Sequence, residues 1–406
     1  LVIKINKIKA SEILIVFLVS IIASDFLVKI INVYNWPITN RVSGILKLLF
    51  ESFFVYIIIK NRKFPKVLLY AIIIIITFFI GNFYLFQKPL YSFSDSILRG
   101  NIYYLNRYIF VFLFVAAVTI IQLDKKEIQK IIKYFLYVVY LNSFFILIGL
   151  LSDIEVFKSY AYTPRFGYSG LFPRIAEATH IYIIAISAAY YTYINNPNKK
   201  NILSLLFLLT SSMFLGTKAI LLFLFFLAII HFCFIHKHKK YYRIGVVTFA
   251  VSIVVFSNFI IEKIFDIFPF WVSIYKQHGF LTVVASKRDL LLMDTIAHIK
   301  ENWSYVNYFF GGIEYIKYKV EIEWVDVMTM FGVVGVLTYI SFFKCYFFNT
   351  QNKVKIGLLL TILIVSFFSG AMFLSVTSMA YLYILSLFLE NKTNQKNVSS
   401  LSKKSH

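Results

Sequence analysis

Charge is scarce in this chain. Asp, Glu, Lys and Arg make up 15% of its 406 residues, against about 25% in an ordinary soluble domain. Hydrophobic residues reach 60%, with a mean hydropathy of +0.76. Together these exclude a disordered chain and argue against a soluble one. Acid is the scarcer sign, with 19 Asp and Glu against 41 Lys and Arg. Only two cysteines occur, Cys233 and Cys345, so there is no disulfide framework and no zinc pattern. No phosphate loop is present, because Gly216-Thr217-Lys218 lacks the upstream glycine and the strand–helix context. There is no HExxH, no paired metal ligands, no dinucleotide fingerprint and no internal repeat. No metal and no cofactor is expected.

What the chain does contain is apolar runs of membrane length. A hydrocarbon core about 30 Å thick takes roughly 20 apolar residues per helix. Such runs predict about twelve helices, near 12–31, 43–59, 65–86, 102–122, 132–151, 174–194, 202–217, 219–235, 244–262, 324–343, 356–369 and 371–389. The fold class is therefore all-α, a polytopic transmembrane bundle. Residues 1–390 form one membrane domain, with a long connection at 263–323 between the ninth and tenth helices, and 391–406 a polar tail. The basic start and first apolar run resemble a signal peptide, but Asp25 and Lys29 follow without a small-x-small cleavage site. A retained first helix is expected.

The net charge of +22 does not imply nucleic acid. Its residues sit in short clusters between apolar runs, as orientation signals do. With the N-terminus placed in the cytoplasm, alternate connections are rich in Lys, as at 60–66, 125–133 and 237–243, and the short external ones are poor. Both termini then lie in the cytoplasm, both cysteines near cytoplasmic helix ends, and the 263–323 connection outside. Within that loop, Ser286-Lys287-Arg288-Asp289 reads as a capping box. The helix that follows should carry Leu292, Ile296, Ile299 and Trp303 on one side, lying on the membrane or the bundle. Trp271, Tyr275, Tyr305 and Tyr308 suit an interfacial setting.

Ionisable residues within membrane helices are costly and therefore informative. Lys47 with Glu51, and Asp25 with Lys29, are each four apart and can neutralise each other along one helix. Arg107 can snorkel to headgroups or serve a site. Arg174, Glu177 and His180 are spaced by three and share one broad helical face going inward, which fits a polar cavity. Lys218 stands at a hairpin tip, where it is either a snorkelling lysine or part of a site. Arg288 opens the loop helix despite an unfavourable dipole, as a cation facing an anion would. Glu314, Glu321, Glu323 and Asp326 lead into the tenth helix, where carboxylates offset the dipole or serve a site. The candidate inventory is cationic and carboxylic, which suits a phosphate head on a lipid tail.

Four segments carry a family resemblance. They are Arg165 to Ala178 entering a helix, Leu215-Gly216-Thr217-Lys218-Ala219 at a hairpin tip, Ala285-Ser286-Lys287-Arg288-Asp289 in the long loop, and Phe310-Gly311-Gly312 with Glu323 to Gly335. In this order, within about twelve helices and one long late outer loop, they resemble the O-antigen and capsular polysaccharide polymerases of the Wzy type, which share an architecture with the O-antigen ligases. The resemblance implies a bacterial cytoplasmic-membrane glycosyltransferase that joins oligosaccharide repeat units carried on polyprenyl pyrophosphate at the outer face. It implies pyrophosphate binding by Arg165 and Arg288, with Lys218 where relatives often have Arg. Arg174 adds a further cation on the inward-going face. Glu177, His180, Glu323 and Asp326 are the candidates for the base that activates the acceptor hydroxyl. The chain departs from the family pattern at Phe172-Pro173-Arg174, where many members have an Asn-Pro-Asn-like turn, and lacks the His-Asn often found where Glu321 to Asp326 stand. Expected partners are the lipid-linked oligosaccharide, membrane lipids, a chain-length regulator and a flippase. The rival readings are an O-antigen ligase, and, from another class, a flippase for lipid-linked oligosaccharides. A transporter would place its charges near mid-bilayer in related halves.

Overall fold

The computed structural model describes residues 7–37, 41–62, 64–87, 95–160, 165–232 and 269–390. Every regular element among them is helical: α1 Lys7–Val33, α2 Val42–Lys60, α3 Val67–Phe86, α4 Asp95–Ile121, α5 Lys125–Ser152, α6 Ile175–Asn195, α7 Lys199–Met213, α8 Lys218–Ile230, α9 Pro269–Ala285, α10 Arg288–Asn302, α11 Tyr305–Phe310, α12 Tyr315–Tyr318, α13 Glu323–Tyr346, α14 Lys353–Ser369 and α15 Val376–Glu390. A 3₁₀ turn, Glu155–Phe157, and one isolated antiparallel bridge, Lys158 to Tyr168, complete the picture. Eleven of the twelve expected helices are present. The ninth, at 244–262, lies outside the described residues, as do Cys233 and the tail.

The chain is an all-α membrane helix bundle. Among the described residues six helices, α1 to α5 and α13, are long and apolar enough to span a bilayer, and α8 and α15 are shorter apolar helices. The outer surface is apolar to a degree water does not tolerate: Leu49 is 62% exposed, Ile59 70% and Phe83 62%. The interior is built on α6 and α15. Every residue of α6 from Glu177 to Tyr191 is buried, and α15 is buried from Val376 through Ser386. These two pack on each other, α6 also on α7, and α15 also on α4 and α5. In the other half, α13 packs on α3 and α3 on α4. Helix α6 is enclosed along this stretch. It meets protein on all sides, so its small and hydroxylic residues pack and bond inward.

Several boundaries differ from the sequence reading, each for a local reason. Helix α5 begins at Lys125 rather than 132, because Asp124 and Glu127 form a reciprocal capping box. Helix α15 starts at Val376 rather than 371, because residues 371–375 form a turn whose amides are held by Glu323. The capping box expected at Ser286 is absent. Ser286 and Lys287 are left-handed, at φ 56° and 70°, and the Asp289 carboxylate instead accepts the Thr282 hydroxyl. Helix α10 still begins at Arg288, but its buried face is offset from the expected stripe. Thr295 donates to the Tyr318 carbonyl at 3.1 Å and His298 stacks on Tyr318 at 3.9 Å, which leaves Ile296 41% exposed.

The long connection is tied into the bundle on its return side. Gly311 and Gly312, at φ 73° and 105°, lie against the backbones of α13 and α3: a side chain on either would strike Met330 or Gly81. The Gly312 amide donates to the Thr329 carbonyl at 3.1 Å, and the Trp303 indole donates to the Gly312 carbonyl at 3.0 Å. Gly332 breaks α13 at φ 67° and lets the Phe309 carbonyl approach.

Candidate functional site

All eight candidate residues fall at one end of the bundle. That end gathers the C-terminal ends of α1, α3, α5, α7 and α14 and the N-terminal ends of α2, α4, α6, α8, α13 and α15. It is laced by contacts distant in sequence. Lys29 Nζ of α1 donates to Ser169 Oγ and the Gly170 carbonyl at 2.9 and 2.8 Å. Asn101 Nδ2 of α4 donates to the Ile313 carbonyl at 2.7 Å.

Two segments bring Arg165 and Lys218 together. The strap before α6 runs against the α7–α8 hairpin tip, where the Tyr168 amide donates to the Phe214 carbonyl at 2.8 Å. Gly216, at φ 73°, sits so close to the Phe166 carbonyl that a side chain would collide with it, and Gly167 is placed likewise against the Leu215 carbonyl. Two glycines facing each other thus let two backbones touch. The Arg165 guanidinium then lies 4.5 Å from the Tyr160 ring centroid, 5.1 Å from Phe270 and 4.7 Å from Trp271. Lys218 Nζ stands 3.6 Å from the Trp271 centroid, donates to the Val283 carbonyl and lies 3.3 Å from Ser286 Oγ. Lys218 feels the charges of both Arg165 and Arg288.

Arg288 completes the trio. Its Nη1 and Nη2 donate to the carbonyls of Phe368 and Ser369 at 3.1 and 2.9 Å, and Glu321 Oε2 lies 3.6 Å away. Its Nε is buried without a partner. Ser369 then links Arg288 to the interior, because its hydroxyl pairs with His180 Nε2 at 2.9 Å. His180 is wholly buried and its Nδ1 has no partner. One turn toward the helix start, Glu177 Oε1 accepts from Ser375 Oγ at 3.1 Å. Arg174, at the N-cap of α6, is exposed, so the inward-going face begins at Glu177.

Glu323 and Asp326 are both buried and both spent on backbone amides. Glu323 accepts from Met372 and Phe373 at 2.7 and 2.9 Å, and Asp326 from Val320 and Glu321 at 2.8 and 3.1 Å. Each carboxylate therefore shapes a loop around the site. Among the described residues, no three His, Cys, Asp or Glu side chains gather as a metal site.

The structure corrects both expected intrahelical ion pairs. Lys47 Nζ crosses from α2 to Asp25 of α1, at 2.8 and 3.0 Å to the two oxygens, and Ser43 donates to the same carboxylate. Glu51 instead accepts from Asn106 Nδ2 at 3.1 and 2.9 Å, and Lys29 goes to the strap. Buried charges choose the partner that also satisfies their remaining hydrogen bonds, and these partners lie on other chain segments. Arg107 lies 4.8 Å from the Tyr103 ring centroid. Sequence reasoning did not single out Ser369, and it did not link Lys29 to the strap or the aromatic platform to the cations. Trp271 was visible as an interfacial aromatic, but nothing in its neighbours links it to Arg165 or Lys218.

No family model, no curated protein and no solved structure matches this chain.

Proposed function

We propose that the chain is a polysaccharide polymerase that joins polyprenyl-pyrophosphate-linked oligosaccharide units by glycosyl transfer. The observation that carries this reading is the convergence of three cations from distant segments: Arg165 and Lys218 on one indole, and Arg288, whose charge Lys218 feels, beside Ser369 and His180. Like charges repel, and Glu321, 3.6 Å from Arg288, is one carboxylate beside three cations, which favours a further anion among them. A pyrophosphate supplies that charge, and its prenyl tail accounts for the site's position at the end of membrane helices.

In the proposed reaction a sugar hydroxyl of the acceptor unit attacks the anomeric carbon of the donor chain. The new glycosidic C–O bond forms as the bond from that carbon to the pyrophosphate oxygen breaks, and the electron pair leaves with the prenyl pyrophosphate. The three cations stabilise the charge that develops there. The hydroxyl proton passes to a base. Of the four candidates, Glu323 and Asp326 are occupied by two amides each. Glu177 and His180 are the better placed pair, and His180 reaches the Arg288 side through Ser369. The proposed setting is the bacterial cytoplasmic membrane, with the cluster on the outer side, since the short connections at that end are the poorer in Lys and Arg.

Deletion of the gene, followed by sizing of the surface polysaccharide, tests the reading. Single repeats on the carrier are expected. Full-length unligated chains would assign a ligase, and units trapped inside a flippase. Arg165→Ala and Arg288→Ala should each stop chain growth and leave single lipid-linked units. Wild-type-length polymer from both variants would end the assignment.

A further inference from the structure

A groove on the membrane-facing side of the bundle starts where Arg288 is anchored. It is lined by Trp324 of α13 and by Leu360, Leu363, Ile364, Phe367 and Phe368 of α14, and encloses about 250 Å³. The α14 residues recur at helical spacing, so they form one stripe roughly 12 Å long. Four of them remain open: Leu360 is 46% exposed, Ile364 40%, Phe367 37% and Phe368 56%. The lining side chains are all apolar apart from the Trp324 indole N–H. A long, branched hydrocarbon fits such a surface, and a sugar does not.

The polar end of this groove is fixed by the same residues. Phe368, its last lining residue, offers its carbonyl to Arg288 Nη1, and Ser369 offers its own to Nη2. Arg288 keeps a buried Nε without a partner. One guanidinium therefore stands at the mouth of an apolar groove that runs away from it along α14. An amphiphile with an anionic head and an apolar tail matches both parts at once.

We infer that the groove between α13 and α14 seats the first isoprene units of a polyprenyl diphosphate whose phosphates meet Arg288. The inference rests on the functional reading above and adds the path of the tail. Only the head-proximal units are held, and the remainder of the chain lies in the bilayer.

The test is photocrosslinking of the full-length protein in phosphatidylcholine nanodiscs with a diazirine-bearing prenyl diphosphate, the modified peptide being mapped by mass spectrometry. The expected result is saturable labelling of residues 360–368, competed by unlabelled prenyl diphosphate. Ile364→Trp, which fills the groove, should weaken that labelling about tenfold, a loss of about 1.4 kcal/mol. Leu360→Trp gives a second filling variant should the first not fold. Equal labelling of 360–368 by a diazirine phosphatidylcholine, without competition, would mean ordinary boundary lipid and overturn the inference. Saturable, Arg288-dependent labelling that maps elsewhere would overturn the groove and leave the polymerase reading intact. No saturable binding of the diphosphate at all would remove both.

Discussion

Lys218 and Arg165 share one indole: the ammonium stands 3.6 Å and the guanidinium 4.7 Å from the Trp271 ring centroid. The ring holds two like charges on one aromatic residue, which favours an anion beside them. A cation on an aromatic face is worth about 0.5–2 kcal/mol depending on desolvation. Trp271→Ala should therefore weaken prenyl diphosphate binding by about tenfold, and Trp271→Phe by clearly less. Direct binding to protein in nanodiscs checks this. Equal affinity of all three proteins would show that the ring takes no part.

The strap and hairpin meet through Gly167 and Gly216, each pressed on the other segment's backbone. Gly216→Ala places a side chain where the Phe166 carbonyl stands, at a φ that costs an L-residue about 1–2 kcal/mol on its own. The variant should melt lower and lose activity, since Arg165 and Lys218 then part. Activity falling no further than in an equally destabilised variant remote from the site would show that their spacing is not critical.

Asp25 and Lys47 form a largely buried pair between α1 and α2, with side chains only 9% and 16% exposed. Removing one partner strands the other, at about 3–5 kcal/mol, while removing both is far milder. Asp25→Asn and Lys47→Met should each lower the melting temperature in detergent, and the double variant should recover part of the loss. Additive effects would refute the pairing.

His298 lies outside the spanning segments, stacked on Tyr318, and burial lowers its pKa below the usual value of 6.5. The folded protein thus favours the neutral ring. Its contribution to stability is fully present above pH 6.5 and is lost as pH falls through the lower folded value, because the unfolded chain takes up the proton first. His298→Gln should flatten the fall of melting temperature between about pH 6.5 and 5. An unchanged slope would assign that pH dependence to other groups.

The helices were legible because lipid demands long apolar runs, and a run such as 67–86 can be little else. Helix α6 was legible from its apolar run, and the inward-going face of Glu177 and His180 from their spacing. Partner choice was not legible. Asp25 and Lys29 satisfy the four-residue rule, yet each bonds to a different chain segment, because a buried charge is governed by the hydrogen bonds packing offers it. The cations of the candidate site were found from residue type and order along the chain. The indole between them and the serine linking Arg288 to His180 come from chain crossings more than 50 residues apart, which periodicity does not encode. Glu323 and Asp326 show the converse: their type and position fit chemistry, and their hydrogen bonds fit architecture.

The glycine contacts of Gly311, Gly312 and Gly332 seat the return arm of the long connection against α3 and α13 with no side chain between. A joint made of main chain has no rotamers to exchange and little room to slide. The other arm differs: α9 bends at Gly279, at φ 83°, with nothing packed against that residue. The long connection is thus keyed by bare backbone to the wall of α3 and α13 on its return side, and carries no such key at its bend.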